Sequence, residues 1–146
     1  MSELSAAALS RETATDLLGE KFAPWVQALN LSIEEIGPDG VAMRLPYSDD
    51  LCRTGGLICG QAMMTLADTC MVFVVAAALG GFREMATASQ NTSFFRPAIG
   101  TDVIARGRVL KTGRMLVFGE VTLYADGDDR PIAHATSTYA LPPARS

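Results

Sequence analysis

The sequence predicts an α+β fold in which an antiparallel sheet wraps one long apolar helix. Two features carry that expectation. Residues 60–79, "GQAMMTLADTCMVFVVAAAL", are almost continuously apolar and stop at Gly80-Gly81, where a helix C-terminus favours glycine. On both sides of this stretch the apolar residues alternate, as they do in strands. A helix that is apolar all round has to be covered on every side, and a sheet curling about it does so economically.

Taken in order, residues 5–18, "SAAALSRETATDLL", interleave acidic and apolar positions and predict a helix. "FAPWVQALN" predicts a short second helix or turn begun by Pro24, with Phe22 and Trp25 anchoring the segment. Leu29, Leu31 and Ile33, then Val41, Met43, Leu45 and Tyr47, alternate about Gly37-Pro-Asp-Gly40, which makes a hairpin. "SDDLCRTGG" reads as a polar loop entering the long helix. Three or four strand-like runs follow, at about 85–95, 101–111, 114–125 and 131–141. Arg96-Pro-Ala-Ile-Gly100 separates the first two, whereas Lys111-Thr-Gly-Arg114 and Asp126-Gly-Asp-Asp-Arg130 read as hairpin turns. The carboxylates of that last turn, like Asp49 and Asp50, read as solvated loop residues.

With 146 residues, the chain predicts one domain spanning 1–146: an N-terminal helical extension over 1–28 and a core over 29–141. Hydrophobic residues at 49%, charged residues at 19% and a net charge of -4 argue against disorder and against nucleic-acid binding. They suit a compact soluble domain that hides surface, by oligomerising for example. Gly60, Gln61 and Asp68 interrupt the apolar stretch, so a buried core helix is expected rather than membrane insertion. No basic-then-apolar leader opens the sequence. Cys52, Cys59 and Cys70 form no metal-type pair and read as reduced thiols of a cytoplasmic protein. The single histidine, His134, has no neighbouring ligand set, so no metal site is expected.

Asp68 stands inside the most apolar segment, where a charge is expensive unless something nearby needs it. Helical spacing puts Gln61, Met64, Asp68, Met71, Val72 and Val75 on one face. Gly55, Gly56 and Gly60 let the backbone pass close to a ligand, and the N–H groups of Gly60 and Gln61 at the helix start can hold a developing oxyanion. A carboxylate base or nucleophile, an N–H cradle and an apolar tunnel of Met and Val suit attack on an acyl carbonyl. The same carboxylate could instead cap a loop, pair with Arg53, or lie on a solvated stripe.

The text "RTGGLICGQAMMTLADT", followed by "NTSFFRPA" and then "VLKTGR", resembles the hotdog-fold acyl-CoA thioesterases of the phenylacetic-acid-pathway type. Those proteins carry an N-x(5)-H-G-G segment, a helix with "LAD" and a strand ending F-x-R-P. The resemblance covers roughly residues 29–141. It implies Asp68 as catalytic base or nucleophile, Gly60 as the backbone N–H that polarises the thioester carbonyl, and Thr87 as a hydroxyl that orients water. It also implies a dimer, commonly paired into a tetramer, in which Gly60 comes from the partner chain. The substrate would be an acyl-CoA, with coenzyme A as part of the substrate and no separate cofactor. This chain departs from the pattern at Arg53 for the asparagine, Cys59 for the histidine and Gln61 for the second glycine.

Gln61 could then supply a side-chain amide near the carbonyl, and Arg53 could neutralise Asp68 and weaken it as a base. Cys59 at the helix start also reads as a candidate thiolate nucleophile, although no base stands beside it. Arg96, Lys111 and Arg114 match positions that lie near pantetheine or nucleotide in the family, and are equally where turns solvate cations. The expected activity is hydrolysis of a medium-chain or aromatic acyl-CoA. The alternatives are an acyl-CoA-binding module without activity, or a hydratase or dehydratase of the same fold, which would need a His–acid pair.

Overall fold

The computed structural model describes residues 9–143. Helix α1 (Arg11–Lys21) begins at Ser10, which is extended at φ -85, ψ 170 and accepts the Thr13 N–H through its side chain at 3.1 Å. That cap sets the start later than the period alone suggests, and the expected residues 5–8 lie outside the described residues. Ala14 and Leu18, four apart, are its buried contacts. Helix α2 (Pro24–Gln27) begins at Pro24, as expected.

Strands β1 (Ser32–Gly37) and β2 (Gly40–Leu45) form the hairpin, closing with Gly37 opposite Gly40. The next segment is more ordered than the polar loop expected. A 3-10 turn at Asp49–Leu51 leads into a two-residue ladder of β3 (Cys52–Arg53) with β4 (Leu57–Ile58). Gly55 (φ 92) and Gly56 (φ 74) turn the chain between them in a region that favours glycine. The Cys59 N–H then donates to Leu51 O at 2.8 Å.

Helix α3 runs Gly60–Leu79 and ends at Gly80, φ 82, whose N–H closes the last turn. Strands β5 (Ala86–Phe94), β6 (Val103–Thr112), β7 (Leu116–Ala125) and β8 (Pro131–Ala140) complete a six-stranded sheet of order β1-β2-β6-β7-β8-β5. Every named neighbour pair in it is antiparallel. The sheet curls round α3, the hotdog arrangement that the resemblance implies. By length and composition α3 could cross a membrane, yet 61% of its apolar window is buried inside the protein, so it is a core helix.

Two glycines set how closely α3 approaches the sheet. A Cβ on Gly107 would lie 2.7 Å from Val74, and one on Gly119 would lie 2.5 Å from Met71 and 2.9 Å from the Arg108 carbonyl. Gly119→Val therefore has to push aside the end of the Met71 side chain and part its strand from the Arg108 carbonyl of β6, and is expected to destabilise by roughly 1–3 kcal/mol. Thermal denaturation checks this; a melting temperature equal to wild type would contradict it.

Arg44 of β2 ties together β1, the residue that precedes β6 and the residue that follows β7. Its guanidinium reaches Glu34 at 2.8 Å, Asp102 at 2.8 Å and Asp126 at 2.9 Å. The Tyr47 N–H and this arginine hold Asp102 below the usual carboxylate range. The acidic turn is thus tied down rather than simply solvated: Asp126 binds Arg44, and Asp128 pairs with Arg130 at 2.8 Å.

Candidate active site

Asp68 lies two turns into α3, half-buried, beside the strand that ends the sheet. Its Oδ1 accepts from Thr87 Oγ1 at 2.9 Å and from the Tyr139 hydroxyl at 2.5 Å. Thr87 and Tyr139 are direct partners across β5 and β8. Along β5, Gln90, Thr92 and Phe94 pair with Ser137, Ala135 and Ala133, which alternate with Tyr139 on the helix side of β8. Strict alternation would point Thr87 the other way. A bulge between Thr87 and Ser89 resets the register and returns Thr87 to the helix side.

A hollow of about 520 Å³ opens over this carboxylate. Gln61, Met64, Asp68 and Val72 of α3 line one wall, Phe22, Trp25 and Val26 another, and Met85, Thr87, Gln90 and Tyr139 the remainder. Among the described residues Asp68 is the only charged side chain in this lining. Gln90 is fixed across the wall, donating to the Met64 carbonyl at 3.2 Å. The side chains of Phe22 and Trp25 divide their roles: Phe22 stacks on core Phe73 with ring centroids 5.7 Å apart, whereas Trp25 is 61% exposed. Phe22 is thus the anchor expected of it, whereas Trp25 takes the other course open to this segment in such folds, closing over the hollow as part of its wall. Met71 and Val75, expected in the tunnel, are wholly buried instead, because the sheet covers that flank of α3.

The other predicted residues lie elsewhere. Cys59 is the N-cap of α3, extended at φ -69, ψ 153, with no side-chain cap bond. The N–H groups of Gly60, Gln61 and Ala62 have no hydrogen-bond partner among the described residues. Gly60 faces the Phe94 ring, at the end of β5 opposite Thr87. Eight residues of helix separate Gly60 from Asp68, about 12 Å of rise, so one carbonyl cannot touch both groups of one chain.

Arg53 is exposed and forms no ion pair with Asp68 among the described residues, so the expected neutralisation is not made within the chain. Arg96 follows β5 at the Gly60 end, in a segment that pairs with β4 through Leu57 and Ile99. Lys111 and Arg114 sit at the β6–β7 turn, at the Thr87 end, and none of these cations lines the hollow. His134 points to the outer face of the sheet, 2.9 Å from Glu120, which also binds Arg108 at 2.6 Å. The histidine bond and then the arginine keep Glu120 below its usual range. A His–acid pair thus exists, but on the face away from Asp68.

Sequence reasoning missed Tyr139 and Gln90. The signal for Tyr139 was present: Ala133, Ala135, Ser137 and Tyr139 alternate as a core-facing series, and a buried tyrosine hydroxyl requires a partner.

Fold and pocket together define a hotdog protein with a carboxylate held at the base of a largely apolar hollow. The sequence pattern of the thioesterase superfamily matches residues 55–132, and the chain belongs to that superfamily. It is similar to a provisionally named thioesterase from Silicibacter sp. TM1040, 33% identical over 92% of this chain and 93% of that one, with a TM-score of 0.81. A provisionally named esterase of Thermoplasma acidophilum is 25% identical over 80% of this chain and 87% of its own length. Zebrafish thioesterase superfamily member 2 shares the fold at a TM-score of 0.82 and 22% identity, over 92% of this chain and all of that one.

Proposed function

We propose that the protein hydrolyses a medium-chain or aromatic acyl-CoA to the free acid and coenzyme A. The observation that carries this reading is the Asp68 carboxylate, fixed by Thr87 and Tyr139 in a largely apolar hollow of about 520 Å³. An acyl group fits such a lining, and the carboxylate stands where an acyl carbonyl would enter.

The site is shared between two copies. The oxyanion donor at Gly60 is about 12 Å from Asp68 within one chain and so has to come from another. Strand β5 ends the sheet, and almost every residue along it is exposed, including Phe94 at 45%. Such an edge invites pairing with a second copy. Antiparallel pairing that sets Thr87 opposite the partner's Phe94 carries the partner's Gly60 towards Asp68. Arg53 and Arg96, at the Gly60 end, then approach the mouth of the hollow as cations for the phosphates of coenzyme A.

In this arrangement the partner's Gly60 N–H polarises the thioester carbonyl, and the Gln61 amide stands nearby. Asp68 either takes the proton of an attacking water or attacks the carbonyl carbon itself. By either route the C–S bond breaks, water supplies the acid oxygen, and the sulfur leaves as the thiol. Thiol release from a panel that includes octanoyl-CoA and phenylacetyl-CoA tests the proposal. Steady turnover is expected; tight acyl-CoA binding with no thiol released would replace the enzyme with a binding module.

A further inference from the structure

Among the described residues Tyr139 is the bulkiest wholly buried side chain, 1% exposed, and its ring is part of the core. Its hydroxyl lies 2.5 Å from Asp68 Oδ1 and 2.8 Å from the Asp68 main-chain carbonyl. A phenol has one proton, and of these two acceptors the carboxylate is the stronger. Burial, and then the charge of Asp68, raise the phenol well above its ordinary value, so it stays a neutral donor. Oδ2 of Asp68 has no hydrogen-bond partner among the described residues.

The geometry points to Tyr139 as a positioning residue that, with Thr87, pins Asp68 Oδ1 and leaves Oδ2 to meet the water or the carbonyl carbon. This rests on the catalytic reading of Asp68 above. The bond stops rotation of the carboxylate about its last torsion, so Oδ2 keeps one direction.

Few other groups compete for that control. From α3 the nearby titratable group is Cys70, whose thiol burial pushes up to about 12, so it is neutral. Strand β5 presents Thr87 and Gln90, β8 presents Tyr139, and the segment from Phe22 to Val26 presents only uncharged side chains.

The test is kcat and KM for octanoyl-CoA or phenylacetyl-CoA, in wild type, Tyr139→Phe and a protein carrying 3-fluorotyrosine at position 139. In Tyr139→Phe kcat should fall about tenfold, the size expected of one hydrogen bond to a charged group, with KM unchanged. The fluorinated phenol keeps both the ring and the donor, so its kcat should stay near wild type; it also serves if the phenylalanine variant folds poorly. An unchanged kcat in Tyr139→Phe, or an equal loss in both tyrosine variants, would overturn the assignment. Asp68→Asn is measured alongside. Full turnover there removes the catalytic reading itself, whereas loss there with an unchanged kcat in Tyr139→Phe removes only the role of Tyr139.

Discussion

Asp68→Asn should lower thioester hydrolysis by about 10²–10⁴-fold, the range a positioned base or acid contributes, while the protein stays folded. Asparagine has the shape of aspartate, and its carbonyl oxygen can still accept from Thr87 Oγ1 and Tyr139, now 2.9 and 2.5 Å from Oδ1. The amide then takes the place of Oδ2, which neither abstracts a proton nor attacks a carbonyl. Because the packing around it is unchanged, a melting temperature near wild type should accompany the loss. An Asp68→Asn protein that hydrolyses acyl-CoA at the wild-type rate would show that the carboxylate is only a helix-docking group.

Gly60→Pro is expected to have the next largest effect, a loss of about 10²–10³-fold, the range for removing one oxyanion donor. Proline lacks the N–H, yet the helix tolerates it here because Gly60 is the first residue of α3, where no intrahelical bond is lost. The preceding residue is prepared as well: Cys59 sits at φ -69, ψ 153, a conformation compatible with a following proline. Gly60→Ala is the control. Its methyl would meet the Phe94 ring at 3.3 Å, a contact that a shift of the ring by a few tenths of an ångström relieves, and its N–H remains. Alanine near wild type with proline strongly impaired supports the oxyanion role. Equal losses in both would place the effect in the Phe94 contact and not in the N–H.

The architecture was legible to the degree that local chemistry decides it. The limits of α3 follow from an apolar run closed by Gly80-Gly81, and the β1–β2 hairpin follows from Gly37-Pro-Asp-Gly40. The site was legible only where one element supplies it, as with Asp68, Met64 and Gln61 along α3. Thr87 was reachable through family resemblance alone, since the period of two would turn it away and only the bulge corrects it. Tyr139 joins the carboxylate because β8, the last strand, lies beside β5, a pairing between elements far apart in sequence. The misplacement of Met71 and Val75 has the same origin: a helical projection shows which residues share a face, not which part of that face a sheet will cover. Arg96 and the pair Lys111 and Arg114 look alike as turn cations, but strand order puts them at opposite ends of the sheet.

The central claim is that each site takes its carboxylate from one copy and its oxyanion donor from another, and subunit mixing tests it most directly. Asp68→Asn and Gly60→Pro proteins, each nearly inactive alone, are combined in equal amounts and left to exchange, with exchange followed by mass or fluorescence. A mixed dimer has one doubly damaged site and one intact site, so random exchange should restore roughly a quarter of wild-type turnover by two-fold symmetry. Complete exchange with no turnover recovered would contradict a shared site and return both groups to a single chain.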